Sequence, residues 1–353
     1  MFGKNEKVGR TPLFCLTGVP LRITIPKDRK DGPGVRLQGM NFLSTLISVV
    51  VLVVVAVPGF LLRKTHILPS GSASVLAALL LFVAQPFLMI SSVLNKPFEV
   101  SMLDEFGWIA LFAIVLQLAV YLIARLVFFG CKEEATRRAC VACSYLGNVG
   151  FMGIPVMQML FPGNSDLILY TVIYNIVFNA MAWTLGVYAV TGDRRKVRPL
   201  KILLNPPTIA VLVALPFFFC NVTIPEDVLT PIGYLGDMTL PLSMLILGIR
   251  LADMPVRAMF CNLRVYVVAA VKLVVCPLLS FGVLMLVGLL VPISPYVIIA
   301  LFVIAAMPSA SSALNFAEMY GGDCETAAAA TLTNTLLCVL TIPVLMLLCT
   351  FVV

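Results

Sequence analysis

Apolar residues dominate the chain from about residue 40 onward, in long runs separated by short polar segments. A helix that crosses a bilayer needs roughly 20 mostly apolar residues, and most of the runs have this length. The pattern therefore predicts ten membrane-spanning helices. The sixth is short and rich in proline, so nine spans are the alternative. The predicted spans, numbered 1 to 10 in chain order, are 41–61, 71–94, 106–129, 136–160, 166–190, 205–221, 230–251, 264–290, 295–319 and 324–351.

The composition also indicates a membrane protein. Hydrophobic residues make up 61% of its 353 residues and charged residues only 12%, which is more apolar surface than a soluble core can bury. The net charge of +7 does not indicate a nucleic-acid partner, because the basic residues lie in short loops and form no continuous stripe. With a single histidine and no pair of acids inside a span, we expect neither a metal site nor an enzyme.

The predicted spans divide the chain into four segments. Residues 1–39 form a basic tail without an apolar run of spanning length, and 40–191 hold the first five spans. A short cytoplasmic linker, 192–204, joins them to the last five spans in 205–353. Because Met40 directly precedes span 1, the tail is either a real translocated segment or an extension ahead of the natural start.

Basic residues near the ends of spans indicate the orientation, since lysine and arginine are retained in the cytoplasm. The loops after spans 2, 4, 6 and 8 contain a single basic residue, Lys96. We therefore expect a cell-membrane protein with both termini outside the cytoplasm, although the basic tail conflicts with this orientation. The basic residues at or after the ends of spans 1, 3, 5 and 7 are Arg63, Lys64, Arg125, Lys132, Arg137, Arg138, Arg194, Arg195, Lys196, Arg198, Lys201, Arg250, Arg257 and Arg264.

The two halves resemble each other, as in many transporters. Several polar or helix-breaking residues recur in order at nearly one spacing, and a repeat of five spans must enter the membrane inverted. The matching pairs are Pro58 with Pro216, Pro86 with Pro241, Pro155 with Pro308, Gly163 with Gly322, and Asn175 with Asn334.

Spans 4 and 9 carry residues that break helices near mid-membrane. Residues 146–155 contain three glycines, an asparagine and Pro155, and residues 306–315 contain Pro308, three serines and Asn315. We expect both helices to be broken there, with new half-helices beginning after Pro155 and Pro308. The N-termini of such half-helices favour an anion. The alternative is a simple proline kink in each span.

These residues resemble the auxin efflux carrier family. The resemblance covers about 40–351 and rests on two motifs, Asn148 followed by Met152, Gly153, Ile154 and Pro155, and Pro308 to Asn315 followed by Phe316, Ala317, Tyr320 and Gly321. It implies an all-helical fold similar to that of sodium/bile acid symporters, in which spans 1, 2, 6 and 7 form a scaffold and spans 3–5 and 8–10 form a moving transport domain. It also implies transport of organic carboxylates such as malonate or the auxin indole-3-acetate. The short linker indicates a bacterial-type member.

The resemblance implies that Asn148 faces substrate and that Pro155 and Pro308 mark the crossing of the broken helices. Asn175, Asn334 and Lys272 are candidates for holding a coupling ion, Na+ or H+, or for supporting the site. Lys272 either snorkels toward the cytoplasm or balances a carboxylate or the substrate. A channel or a receptor-like sensor is the alternative function, and a homodimer is left open. The predicted substrate-binding residues are Asn148, Gly150, Gly153, Pro155, Pro308, Ser309, Ser311 and Asn315.

Overall fold

The computed structural model describes residues 42–198, 200–255, 259 and 261–349, and these residues are almost entirely helical. The only β-type pairing in the described part of the chain is an isolated antiparallel bridge between Gly147 and Ser309. The predicted tail, 1–39, lies outside the described residues. The prediction of an all-helical protein is confirmed.

In the first half of the chain, helices coincide with each of the five predicted spans. Spans 2, 4 and 5 each contain one turn of π-helix. In a π-helix the backbone hydrogen bonds join residues five positions apart, rather than four as in an α-helix. The helices are Phe42–Val54 and Val57–Lys64 in span 1, Ser72–Leu94 in span 2, Met102–Val127 in span 3, Glu134–Tyr145 and Val149–Leu160 in span 4, and Ser165–Thr191 in span 5.

The second half follows the same order after a linker with short helical turns at Arg194–Lys196 and Leu200–Leu203. Span 6 is short, as the proline-rich sequence predicts, and span 8 contains a π-turn at Val271–Val275. The helices are Pro206–Phe219 in span 6, Glu226–Asp237 and Thr239–Asp253 in span 7, Leu263–Leu290 in span 8, Pro295–Ala305 and Ser311–Tyr320 in span 9, and Cys324–Cys349 in span 10.

Six of these helices are long and apolar enough to cross a bilayer, which identifies a membrane protein. The helices of spans 1, 4, 6 and 9 are shorter or interrupted, so the arrangement of ten crossings as an inverted repeat stays a prediction. The six long helices are Ser72–Leu94, Met102–Val127, Ser165–Thr191, Glu226–Asp253, Leu263–Leu290 and Cys324–Leu348.

The helices pack in two groups. In one group, Val57–Lys64 of span 1 lies along Thr239–Asp253 of span 7, and Gln85–Leu94 of span 2 contacts both span 6 and span 7. In the other group, spans 3, 4, 5, 8, 9 and 10 surround the largest hydrophobic core. The groups meet where Phe42–Val54 packs on span 10, in a second hydrophobic core that spans 2 and 6 share with spans 3, 4 and 5, and where both face a common cavity.

The position of the break in span 4 corrects one expectation. The first helix ends at Tyr145, and the chain becomes helical again at Val149, six residues before Pro155. The second part begins as a π-turn, Val149–Gly153, and Pro155 lies at the start of the α-helix that follows. Proline is tolerated at this position because it lies in the first turn of the α-helix. In span 9, by contrast, Pro308 lies within the unwound stretch, and the next helix begins at Ser311.

Candidate functional site

The unwound stretches of spans 4 and 9 cross each other as a short antiparallel pair. The Asn148 N–H donates to the Pro308 carbonyl at 2.8 Å, and the Ala310 N–H donates to the Leu146 carbonyl at 2.9 Å. Backbone groups that leave a helix inside a bilayer need partners from the protein, since lipid offers none. The two breaks supply these partners to each other, so the crossing depends on both halves of the chain.

A polar cluster supports the crossing from behind. The Ser309 hydroxyl donates to the Cys143 carbonyl at 2.6 Å, and the Asn334 side-chain amide donates to the Ser309 hydroxyl at 2.5 Å. All three residues are fully buried. These bonds give Ser309 and Asn334 a structural task, because they satisfy a carbonyl at the C-terminal end of the Glu134–Tyr145 helix.

A cavity of about 760 Å³ lies between the two groups of helices, with the crossing at one side. Its volume suits a small organic molecule. The predicted site residues in its wall are Asn148, Gly150, Asn175, Ser311 and Asn315. The other predicted site residues, which do not line it, are Gly153, Pro155, Pro308, Ser309, Asn334 and Lys272.

Asn148 sits at the junction between the unwound stretch and the π-turn of span 4. Its backbone holds the crossing, while its half-buried side chain reaches the cavity and has no hydrogen-bond partner among the described residues. A side-chain amide in this position can donate to an anion or accept from a hydroxyl. The structure thus leaves this amide available to a ligand.

Gly150 allows two polar side chains to approach the crossing. A Cβ atom at Gly150 would overlap the Gln85 side-chain amide and would lie 3.1 Å from the side-chain oxygen of Asn175. Gln85 comes from span 2 and directly follows the π-turn Leu80–Ala84. Three amide-bearing side chains, those of Asn148, Gln85 and Asn175, therefore line one side of the cavity.

Arg250 is the main site residue that the sequence analysis did not select. It was counted among the basic residues at the cytoplasmic end of span 7, but its side chain lines the cavity. Its Nη2 donates to the Asn315 side-chain oxygen at 3.3 Å, while its Nη1 is buried without a hydrogen-bond partner among the described residues. The buried Ser312 hydroxyl, also in the cavity wall, has no partner there either. An unsatisfied buried guanidinium nitrogen is costly, which indicates a place for an acceptor.

Aromatic and basic residues from the linker, span 5 and span 9 lie together near one end of the cavity. The Lys201 ammonium lies 5.3 Å from the centre of the Trp183 ring and 5.7 Å from that of Tyr320, within the range of cation–π attraction. Trp183 also packs edge-to-face on Phe316 at 5.1 Å. Of the charged residues in the wall, Lys201 and Arg250 are positive and Glu318 is negative, so the cavity carries a positive balance.

Of the two alternatives for Lys272, snorkelling toward the cytoplasm is wrong. Its side chain is 2% exposed, and its ammonium donates to the Ala305 carbonyl at 3.3 Å. The physical reason is that the Ala305 carbonyl, at a helix end inside the protein, accepts a hydrogen bond from the ammonium.

The chain matches the sequence model of one protein family, described as a membrane transport protein, over residues 44–199 and 191–346. No curated protein is similar enough to the chain to count as a match. The two matched stretches together reach into every predicted span and include the crossing described above. The chain therefore belongs to the membrane transport protein family of the auxin efflux carriers.

Proposed function

We propose that this membrane transport protein is a secondary transporter of a small organic anion, a carboxylate such as malonate or an auxin-like acid. The observation that carries the proposal is the cavity beside the crossing, in whose wall the buried Nη1 of Arg250 has no hydrogen-bond partner among the described residues. A guanidinium group offers donors in a planar fork that fits a carboxylate. Few other ligand groups would satisfy it as well.

The donors around the cavity suit an anion further. The Asn148 amide and the Ser312 hydroxyl can donate hydrogen bonds, and Ser312 lies in the first turn of the Ser311–Tyr320 helix, where the helix dipole is positive. The apolar part of the wall, including Phe151, Phe178 and Trp183, would accept the hydrocarbon or aromatic body of the substrate.

Alternating access is proposed as the mechanism, in an elevator form. The scaffold would consist of spans 1, 2, 6 and 7, and the moving transport domain of spans 3–5 and 8–10. The close packing of span 1 on span 7 and of span 2 on spans 6 and 7 supports this choice of scaffold. So does the cavity wall, to which span 7 contributes Arg250 and the crossing contributes Asn148. Movement of the crossing past a fixed scaffold would change which side of the membrane the substrate reaches.

Ligand binding to purified protein tests the proposal. A melting-temperature screen against mono- and dicarboxylates, including malonate and indole-3-acetate, should yield an anion that stabilises the protein, since a ligand of the native state raises its apparent stability. Arg250→Ala and Asn148→Ala should each weaken that binding by about 1–3 kcal/mol, which is roughly 5- to 150-fold.

Arg195→Ala is the matched control, because Arg195 is an exposed arginine of the linker that does not line the cavity. It should leave affinity unchanged. Unchanged affinity in both Arg250→Ala and Asn148→Ala would refute the assignment of this cavity as the anion site.

A further inference from the structure

Lys272 is a buried cation that the proposed anion site does not use. It lies in the π-turn Val271–Val275 of span 8 and does not line the large cavity. No aspartate or glutamate among the described residues forms an ion pair with it. Placing a charged group inside a membrane protein is costly unless the charge has a function or a partner. The Lys272 ammonium donates to the Ala305 backbone carbonyl at 3.3 Å and to the Cys276 sulfur at 3.6 Å.

That carbonyl belongs to Ala305, the last residue of the Pro295–Ala305 helix. The C-terminal end of a helix carries a partial negative charge. The carbonyls of Phe302, Val303 and Ile304 are satisfied by the N–H groups of Ala306 and Met307. Three residues beyond Ala305, where the next donor would come from, lies Pro308, which has no N–H.

The equivalent end in the first half of the chain is neutralised differently. There the Glu134–Tyr145 helix ends at the crossing, and its Cys143 carbonyl accepts from the neutral Ser309 hydroxyl. Of these two helix ends at the crossing, the Pro295–Ala305 end is the one that receives a positively charged side chain. In broken transporter helices, such C-terminal ends and unwound carbonyls are where Na+ is coordinated.

Further polar atoms converge on the same place. A small cavity of about 10 Å³, the size of roughly one water molecule, is lined by Lys272, Gln117, Tyr145 and Gly147. Of these residues, Gln117 has a buried side-chain oxygen without a hydrogen-bond partner among the described residues. A Cβ atom at Gly147 would come within 3.0 Å of the Lys272 nitrogen. The Lys272 side chain thus lies between the crossing and a small cavity whose wall includes Gln117 and Ala305.

We propose that the Lys272 ammonium is the fixed cation of the crossing. It occupies the site at the Ala305 carbonyl that a dissociable monovalent cation would otherwise fill. Because the side chain brings its own charge, the crossing holds its shape without Na+, and Na+ does not act at this site. This inference concerns the crossing and does not depend on the identity of the transported anion.

Melting temperatures of the protein without organic anion test the proposal, with NaCl, KCl or choline chloride at one ionic strength. The wild-type protein should melt at the same temperature in all three. Lys272→Met, which keeps the volume of the side chain and removes its charge, should melt about 5 °C lower or more, from the loss of a charge-assisted hydrogen bond. Lys272→Arg should retain most of the stability.

Chemical rescue supplies the positive test. Lys272→Ala should be restored in part by ethylammonium, which replaces the missing charged group, and not by ethanol, which replaces only volume. Lys132→Ala, which removes an exposed lysine, should respond to neither compound. If Lys272→Ala cannot be purified in choline chloride, its recovery in ethylammonium chloride serves the same purpose.

Two results would overturn the proposal. One is a saturable rise in the wild-type melting temperature with Na+ over choline that Lys272→Met abolishes, because Na+ would then act at this site beside the lysine. The other is a Lys272→Met protein as stable as wild type. Neither result bears on anion binding in the large cavity, so the two proposals fail separately.

Discussion

At the scale of single residues, Arg250 and Asn148 illustrate two ways in which a side chain becomes available to a ligand. Arg250 is partly satisfied by Asn315 and retains a buried nitrogen without a protein partner in the described chain. Asn148 commits its backbone to the crossing and leaves its amide to the cavity. In both residues, one polar group makes a hydrogen bond within the protein and another is available to a ligand.

Asp323 gives a residue-scale prediction about pH. Burial raises the pKa of this carboxyl group, but hydrogen bonds from Thr326 and from the Thr136 hydroxyl, the latter at 2.7 Å, outweigh burial, so the pKa lies below its ordinary value of 3.8. A lowered pKa in the folded state stabilises the protein above pH 3.8, and this stabilisation is lost as the pH falls through the lowered value. Thr136→Val should therefore reduce the free energy of unfolding near neutral pH by about 0.5–1 kcal/mol, a small effect because the carboxylate is partly solvated.

The measurement is the difference in melting temperature between wild type and Thr136→Val from pH 7 to pH 3. The difference should shrink below about pH 4. Thr184→Val is the control, since the Thr184 hydroxyl donates to the Ala180 carbonyl and to no acid, so its effect should not change with pH. A Thr136→Val effect that stays constant across this range would contradict the account.

Individual site residues could be predicted only where nearby glycines and prolines indicate a broken helix. The glycines and proline around Asn148 draw attention to a broken helix, and Asn148 does line the cavity. Arg250 was missed because a basic residue at a span end reads as an orientation signal, and nothing local distinguishes a side chain that turns inward. For Lys272 the sequence left two alternatives, because the deciding partner, the Ala305 carbonyl, lies 33 residues away.

At the scale of helices, the closest contact between spans 1 and 7 depends on glycine. A Cβ atom at Gly248 would overlap the Ala56 carbonyl, and one at Gly59 would overlap the Leu245 carbonyl. Small residues of this kind allow helix backbones to approach each other in membranes. This contact joins two spans of the proposed scaffold.

Gly248→Ala should destabilise the protein by about 1–3 kcal/mol, because the added methyl group meets backbone and cannot be accommodated by a change of rotamer. The corresponding fall in melting temperature is roughly 3–10 °C. Gly282→Ala is the matched control, as a Cβ atom there has no neighbour within 4 Å, and it should be neutral or slightly stabilising. Equal melting temperatures for the two variants would show that the close approach of spans 1 and 7 is not required.

The positions of the helices could be predicted from the hydrophobic pattern, because an apolar run of about 20 residues is long enough to cross a bilayer as a helix. The break in span 4 was expected within 146–155 and lies at 146–148, but the new half-helix was expected after Pro155 and begins at Val149. Proline shows that a helix is disturbed without fixing where the chain unwinds. That position depends on the hydrogen bonds from Asn148 and Ala310 to the opposite break, which no local pattern contains.

At the scale of the whole molecule, the two groups of helices enclose a cavity to which both contribute. The sequence repeat divides the chain into two halves between residues 191 and 205, whereas the contacts group helices from both halves, as in the scaffold and transport domain that the family resemblance implies. The cavity could not be predicted from the sequence, because its wall combines residues as distant as Ser74 and Thr335. Whether the cavity binds a substrate and carries it across the membrane distinguishes a carrier from a channel or a sensor.

Counterflow in proteoliposomes tests the central claim most directly. Vesicles loaded with the unlabelled carboxylate that stabilises the purified protein are diluted into a trace of the labelled one. A carrier working by alternating access should accumulate label transiently above its equilibrium level and saturate with substrate. Arg250→Ala should lose this accumulation, and Arg195→Ala should keep it. Currents that do not saturate, in vesicles that show no counterflow, would contradict a carrier and indicate a channel.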